Sequence, residues 1–233
     1  RGLGFLNTQY EKLCRFIIKH ELSAGFIAVS LVIGTAFTCA WALLEIGDYL
    51  GIKLLISTLL IYVCIAARDL TVHALRILRP LKAQDLPTAR TQLSMIVGRD
   101  TNKLDESQVC RATVESVAEN TVDGITSPLF YALIFGPLGA VIYRAINTMD
   151  SMYAYKNEKY LYFGRTAAYV DDAANFLPAR LTGYTMCLAA IFCRENFRNC
   201  WKIMCRDGQK HPSPNSGISE AAMAGALCIQ LGG

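Results

Sequence analysis

An uncharged run of 23 residues, 22–44, constrains the fold of this chain most strongly. As a helix rising about 1.5 Å per residue, it would cross a hydrocarbon core of about 30 Å. Three further uncharged runs follow, at residues 54–67, 125–143 and 181–193. We expect the first two runs to form a transmembrane hairpin and the third to enter the membrane. The fourth is short enough to be interfacial or buried instead.

Composition and charge agree with a membrane protein. Hydrophobic residues make up 53% of the chain and charged residues 18%, which excludes intrinsic disorder. The net charge of +4 is dispersed and forms no basic stripe, so we expect no nucleic-acid partner. Basic residues flank the predicted hairpin on both outer sides, whereas Glu45 and Asp48 lie in its connection. The positive-inside rule therefore predicts a multi-pass inner-membrane protein with residues 45–50 outside the cytoplasm.

The remaining pattern is helical, and no alternating strand pattern interrupts it, so we predict an all-α polytopic helical membrane protein. We divide it into an amphipathic lead-in plus transmembrane helical hairpin (1–67) and a catalytic helical region with membrane-embedded segments (68–233). Breaks are predicted near Pro80 and Pro87. Asp105 and Gln108 predict a capping box for a helix over 106–121 that ends near Gly124.

The third apolar run contains Gly136 and Pro137 at its middle, a pair that should break a helix. Two interpretations follow: a kinked crossing, or a re-entrant helix pair that enters the membrane and returns on the same side. A re-entrant pair is tolerated where protein buries the interrupted backbone.

Five polar clusters punctuate the rest of the chain, at residues 90–101, 111–124, 143–158, 171–180 and 210–217. In the second cluster, Glu115 and Glu119 lie one helical turn apart and Asp123 extends their line. Carboxylates on one face suit Mg²⁺, which binds carboxylates together with substrate phosphates. A solvated face with ion pairs is the other explanation, although Arg111 precedes Glu115, which is the poorer order for such a pair.

The other clusters have structural alternatives too, such as a solvated turn, an acidic helix start or a rigid proline loop. No Walker A, GxGxxG, GxSxG or cysteine–histidine signature is present, and the three histidines are scattered. The residues alone thus predict polar clusters at a membrane surface that suit a phosphate–Mg²⁺ substrate.

Taken in order, these clusters resemble the adenosylcobinamide-phosphate synthase family of cobalamin biosynthesis. The similarity covers about residues 68–233, whereas residues 1–67 match mainly by hydropathy. Its main stretches are Ile96-Val-Gly-Arg-Asp-Thr101, residues 111–124, Tyr143-Arg-Ala-Ile-Asn-Thr-Met-Asp-Ser151, Tyr155-Lys-Asn-Glu158, Asp171-Asp172, Pro178-Ala-Arg180, His211-Pro-Ser-Pro-Asn215 and Glu220-Ala-Ala222. The family's N-terminal apolar segment, its Asp-Pro…His-Pro stretch and its C-terminal continuation have no counterpart in this sequence. Any ligand that those segments supply lies outside this sequence.

The resemblance implies that ATP and Mg²⁺ support amide formation between adenosylcobyric acid and an amino-alcohol phosphate, either aminopropanol phosphate or ethanolamine phosphate. Because ATP and corrinoid are cytosolic, the active site should face the cytoplasm, which favours the re-entrant interpretation. The lipid bilayer is the other expected partner. The sequence leaves open whether the chain forms a homo-oligomer.

The roles that we assign on this resemblance fall into four groups. Mg²⁺ ligands or the base would be Glu115, Glu119 and Asp123, and a second acidic group facing them would be Asp150, Asp171 and Asp172. The metal itself would be held by Glu115, Glu119, Asp171 and Asp172. Phosphates would be bound by Arg90, Arg99, Arg111, Arg144, Lys156 and Arg180. Substrate would be oriented by Asp100, Asn120, Asn147, Asn157 and Asn175, with the loop of His211, Ser213 and Asn215 closing over it.

Two other classes of function use the same residues. A transporter for a corrinoid or phosphorylated solute would need buried charges, but the internal repeats common in transporters are missing from the sequence. A non-catalytic scaffold for corrinoid enzymes would not need such dense carboxylates, arginines and asparagines.

Overall fold

The computed structural model describes residues 2–153 and 160–232, and every regular element within them is a helix. The helices are α1 (Gly2–Ile17), α2 (Glu21–Tyr49), α3 (Lys53–Cys64), α4 (Ala67–Lys82), α5 (Leu86–Leu93), α6 (Glu106–Thr121), the π-helical segment Val122–Thr126, α7 (Ser127–Tyr153), α8 (Arg165–Phe192), α9 (Phe197–Asp207) and α10 (Ser216–Leu227). The predicted all-α class is confirmed. Among the described residues, three segments are long and apolar enough to cross a membrane: Glu21–Tyr49, Lys53–Lys82 and Glu106–Tyr153.

Contacts divide the chain into two compact units. The first unit spans residues 1–65 and 127–175, and the second spans 66–126 and 176–233. The expected functional division at residue 67 stays a prediction.

A stripe of small residues on α2 organises the first unit. Ala24, Ala28, Val32 and Ala36 recur every four residues and are buried, and the helix packs against α1, α3 and α7. The large side chains of α2 point outward instead; Phe26, for example, is 61% exposed. Small residues at the interface and large apolar residues outside are the arrangement expected of packed helices in lipid.

The lead-in helix α1 also turns its large apolar side chains outward. Its apolar residues Leu13 and Phe16 are exposed, whereas its polar residues Asn7 and Glu11 are buried. Tyr153 donates a hydrogen bond to the backbone carbonyl of Asn7, and Tyr160 donates one to Glu11 Oε2 at 3.2 Å. Asn7 and Glu11 thus accept hydrogen bonds inside the unit, although Asn7 Oδ1 is buried without a hydrogen-bond partner among the described residues. The apolar face of α1 is available for lipid.

The predicted break at Gly136 and Pro137 is confirmed, and the chain reverses direction there. Gly136 has φ +66° and ψ −158°, which is not a helical conformation. The rings of Tyr131 and Tyr143 stack with centroids 5.3 Å apart. In one straight helix the 12 residues between them would span about 18 Å. The two halves of α7 are thus a helical hairpin, and its re-entry into a membrane stays a prediction.

In the second unit, α4, α5 and α6 pack around Ile77, Leu93 and Val109. The predicted break at Pro80 is wrong, because α4 runs through it to Lys82. Pro80 lies two residues before the last residue of α4, and it removes only the one hydrogen bond that its missing N–H would donate to the Arg76 carbonyl. The chain breaks at 83–85 instead, where Gln84 has φ +58°. The predicted boundary near Pro87 is confirmed, since this residue lies in the first turn of α5.

The capping box that starts α6 is confirmed: Gln108 N donates to Asp105 Oδ1 and Asp105 N donates to Gln108 Oε1, both at 2.8 Å. The predicted range of α6 is confirmed, since the α-helix ends at Thr121, but the chain does not leave the helical path near Gly124. The π-helical segment Val122–Thr126 carries the chain directly into α7. Ala66 N donates to the Gly124 carbonyl at 2.7 Å, so a contact distant in sequence satisfies that backbone group.

The rest of the second unit consists of the C-terminal half of α8, α9 and α10. Cys187 of α8, Met204 of α9 and Ile218 of α10 share one buried core. α10 also packs against α6, and this contact brings together the loops and helices of the cleft described next.

Candidate functional site

A cleft of about 480 Å³ lies in the second unit. Its walls come from the loop before α6, from α6 itself, from the loop before α10 and from α10. The lining residues are Ile96, Val97, Gly98, Arg99, Glu115, Ser116, Glu119, His211, Glu220 and Gly232. Four predicted site residues therefore meet here: Arg99, Glu115, Glu119 and His211.

Arg99 and Glu115 form the best-defined ion pair of the cleft. Arg99 Nη2 lies 2.7 Å from Glu115 Oε2, and Gly232 N donates to Glu115 Oε1 at 2.9 Å. Arg90, predicted to bind phosphate, holds the loop that carries Arg99: its Nε donates to the Leu104 carbonyl at 2.6 Å. The observed contact of Arg90 thus supports the loop, while Arg99 itself lines the cleft.

Glu119 of α6 and Glu220 of α10 both line the cleft. Ser216 Oγ donates to Glu119 Oε1 at 3.3 Å. The pKa of Glu220 is raised to about 7, first by burial and then by the negative charges of Glu119 and Glu115, while Arg99 opposes the rise. Of the three carboxylates near the Arg99 guanidinium, Glu220 is therefore the one that exchanges its proton near neutral pH.

The loop before α10 is held by its own hydrogen bonds. Ser213 N donates to His211 Nδ1 at 3.0 Å, and Asn215 N donates to Ser213 Oγ at 3.3 Å. A neutral His211 with Nδ1 as acceptor carries its proton on Nε2. Asn215 is buried at the start of α10, so of the three predicted loop residues it is His211 that lines the cleft.

A second cleft of about 680 Å³ adjoins the first and shares His211, Glu220 and Gly232 with it. Its wall includes Asp207, whose pKa is lowered chiefly by hydrogen bonds from Arg206 and then from Lys210. Two compartments therefore meet at one histidine and one carboxylate, which is a geometry suited to two reacting molecules.

A buried polar network occupies the first unit. Ser127 Oγ and Tyr143 Oη both donate to Asn175 Oδ1, at 2.6 and 2.9 Å. Asn175 Nδ2 then donates to Asp171 Oδ2 at 2.9 Å. Asn175 is 2% exposed, and these bonds hold its amide in one orientation, with the nitrogen bonded to the Asp171 carboxylate. The observed contact of Asn175 is with Asp171, and its predicted role in orienting substrate stays a prediction.

The other predicted residues lie elsewhere. Arg144 Nη1 donates to Asn147 Oδ1 at 3.3 Å on α7. Asn120 Nδ2 donates to the Ser116 carbonyl at 2.8 Å. Arg180 packs on the Phe176 ring and lines a groove of about 280 Å³. The remaining ones are Asp100 in the loop before α6, Arg111 on α6, Asp123 in the π-helical segment, Asp150 on α7 and Asp172 on α8. Lys156 and Asn157 lie outside the described residues.

The described acidic residues supply some, but not all, of the ligands that a metal ion needs. Within residues 2–153 and 160–232, no three His, Cys, Asp or Glu side chains are close enough to hold an ion alone. Mg²⁺ usually needs only one or two carboxylates, completed by waters and substrate phosphates. Glu115 and Glu119 fit that donor set. Glu119 and Asp123 belong to the second unit and Asp150, Asp171 and Asp172 to the first, so the predicted opposition of the two acidic groups stays a prediction.

Sequence reasoning assigned no role to Glu220, Ser127 or Tyr143. Each lies in or beside a stretch that carries the family resemblance, and that was the only local signal. Their partners are far away along the chain: Glu220 meets α6 through packing, and Tyr143 meets Asn175 across 32 residues.

The fold and clefts define an all-helical protein with apolar segments of membrane length and a site of carboxylates, arginine and histidine. The model of the CobD/Cbib protein family matches residues 1–233, and the chain belongs to this family. Relatives named "Cobalamin biosynthesis protein CobD" include that of Leptospira interrogans serovar copenhageni, 48% identical over 100% of this chain and 75% of the relative. That of Geobacter metallireducens is 46% identical over 100% and 74%. No solved structure matches the chain significantly.

Proposed function

We propose that the protein acts in cobalamin biosynthesis as an adenosylcobinamide-phosphate synthase. It would join adenosylcobyric acid to an amino-alcohol phosphate through an amide bond, with ATP as the second phosphate-bearing substrate. Family membership over the whole chain supports the pathway. The pair of clefts that meet at His211 and Glu220 is the observation that favours a reaction between separately bound molecules.

The chemistry requires activation, because a carboxylate would have to expel oxide. Transfer of the ATP γ-phosphoryl group to the corrinoid carboxylate would give an acyl phosphate and ADP. The amine then attacks the acyl carbon, the C–O bond to phosphate breaks, and inorganic phosphate leaves while the amine loses its proton. The protein must hold both partners, balance phosphate charge and accept that proton.

The residues of the 480 Å³ cleft supply these functions. Arg99 uses one guanidinium nitrogen on Glu115, which leaves further N–H groups for phosphate. Gly98 beside it lets a phosphate approach the backbone closely. In its neutral form His211 offers its Nε2–H as a second donor for phosphate, because its Nδ1 already accepts a hydrogen bond from Ser213 N. We assign phosphate binding to Arg99 and His211.

Glu115 and Glu119 would hold Mg²⁺ together with substrate phosphates. When bound, Mg²⁺ neutralises phosphate charge and makes the terminal phosphorus easier to attack. Glu115 keeps Arg99 in position at the same time, so its loss should impair phosphate binding as well as metal binding.

The proposal is tested by mass-spectrometric detection of the amide. Purified protein in nanodiscs is mixed with adenosylcobyric acid, ATP, Mg²⁺ and one amino-alcohol phosphate, either ethanolamine phosphate or aminopropanol phosphate. We expect product only when all components are present. Glu119→Gln should reduce turnover at least about 100-fold, a typical effect of removing one charge-stabilising group. The matched control is Glu106→Gln, an exposed change on the same helix, which should keep turnover. Full activity of Glu119→Gln would contradict the assigned site.

A transporter is the alternative outcome of the same preparation. Corrinoid uptake into sealed vesicles without amide formation would replace the enzyme proposal by a transport function. The interrupted helix at Gly136 is the observation relevant to that outcome, because transporters use broken helices to bind solutes.

A further inference from the structure

The outward faces of α9 and of the adjoining part of α8 form a continuous surface in the second unit. Around α9, three stripes with four-residue spacing follow one another. They are buried Cys200 and Met204, then exposed Phe197, Trp201 and Cys205, then exposed and basic Arg198, Lys202 and Arg206. An inner face, an aromatic face and a basic edge therefore succeed each other around one short helix.

Helix α8 extends the aromatic face. The ring of Tyr184 stacks on Trp201 with centroids 5.8 Å apart. Leu188 and Phe192 continue the same outward side and are 55% and 86% exposed. Large apolar side chains on two packed helices thus form one exposed patch, which is more than scattered surface hydrophobicity.

The charges beside this patch identify what covers it. In the part of the chain that the structure describes, neither Arg198 nor Lys202 has an ion-pair partner, whereas Arg206 pairs with Asp207 at 2.6 Å. The 11 residues of α9 measure about 16 Å, too short to cross a bilayer. Tryptophan is enriched at membrane–water interfaces, and a basic edge complements anionic headgroups.

We infer that α9 and residues 181–192 of α8 lie in the membrane–water interface. Phe197 and Trp201 insert at the boundary of headgroups and acyl chains, and Arg198 and Lys202 bind anionic phospholipid headgroups. Interfacial helices of this kind bury their apolar face about 5–10 Å deep. This surface would fix the second unit, and its clefts, at the surface of the bilayer.

Tryptophan quenching by brominated lipids in proteoliposomes of the full chain tests the inference. The chain has two tryptophans, so Trp41→Phe leaves Trp201 as the single reporter. We expect Trp201 to be quenched more strongly by bromine near the headgroup than by bromine near the chain ends. Quenching should also be stronger in anionic than in zwitterionic vesicles.

Removing the basic edge separates the lipid interaction from mere exposure. Arg198→Gln with Lys202→Gln should abolish the difference between anionic and zwitterionic vesicles. The matched control, Lys82→Gln with Lys103→Gln, removes the same charge from exposed positions and should leave it unchanged. No quenching by either lipid would mean that protein covers the patch, and stronger quenching by deep bromine would mean a spanning position; either result overturns the inference.

Discussion

Glu220 is the residue whose ionisation the site changes most clearly. Its pKa is raised from 4.5 to about 7, first by burial and then by Glu119 and Glu115. From pH 4.5 upward an unfolded chain loses this proton, while the folded protein keeps it until about pH 7. The free energy of unfolding therefore falls as pH rises across that window. The shift corresponds to about 3 kcal/mol, which partial exposure reduces to about 1–2 kcal/mol.

Glu220→Gln should remove this pH-dependent loss. We expect its thermal unfolding midpoint in detergent to exceed that of the unchanged protein at pH 8 and to be nearly equal at pH 4.5. Glu106→Gln, an exposed change on α6, is the control and should give the same small difference at both pH values. An equal effect of Glu220→Gln at both pH values would show that its pKa is not raised.

Asn175 is the residue on which the buried network depends. Tyr143→Phe leaves Ser127 as a donor to Asn175 and should lower the free energy of unfolding by about 1 kcal/mol. Asn175→Ala leaves two hydroxyl groups and the Asp171 carboxylate without this partner and should cost roughly 3 kcal/mol. Denaturation in mixed micelles measures both values. Tyr49→Phe, at a residue 90% exposed, is the control, and a smaller loss for Asn175→Ala than for Tyr143→Phe would contradict the network.

At the scale of the element, the hairpin in α7 depends on the conformation of Gly136. The combination of φ +66° and ψ −158° is almost restricted to glycine, so Gly136→Ala should cost about 1–3 kcal/mol. Gly34 has open space around an added Cβ inside α2, and Gly34→Ala should be neutral or stabilise by about 0.5–1 kcal/mol. The same denaturation assay compares the two. Equal effects would mean that the reversal does not require this glycine.

The elements that sequence predicted are those with local causes. Run length predicted the apolar helices, the Asp105–Gln108 pair predicted the start of α6, and Gly136 with Pro137 predicted the reversal. The helical path from α6 into α7 was not predictable in this way. The Gly124 carbonyl bonds to Ala66, 58 residues earlier, and the helix therefore continues through a π-helical turn.

The residues of the candidate site also differ in whether a local sequence pattern predicts their position. The four-residue spacing of Glu115 and Glu119 places them together from sequence alone. Glu220 joins them only because α10 packs on α6, and no local pattern encodes that contact. Arg90 shows the converse, since its residue type suggested phosphate while its position in the fold assigns it to the Leu104 carbonyl.

At the scale of the whole molecule, the distribution of charge predicts orientation. Positive residues flank the predicted hairpin, and the connection between α2 and α3 carries Asp48 close to Lys53 at 3.2 Å. The proposed reaction also needs ATP, which is cytosolic. Both arguments predict that residues 45–50 lie outside the cytoplasm and that the clefts of the second unit face it.

Two native cysteines and one added cysteine allow this orientation to be measured. Cys110 and Cys228 of the second unit are exposed. Tyr49→Cys adds a thiol at the last residue of α2, which is 90% exposed. In intact spheroplasts, a membrane-impermeant maleimide should label position 49 and spare Cys110 and Cys228, which should react after permeabilisation. Peptide mapping by mass spectrometry assigns each label. Labelling of Cys110 and Cys228 in intact cells, with position 49 protected, would reverse the orientation and separate the clefts from cytosolic ATP.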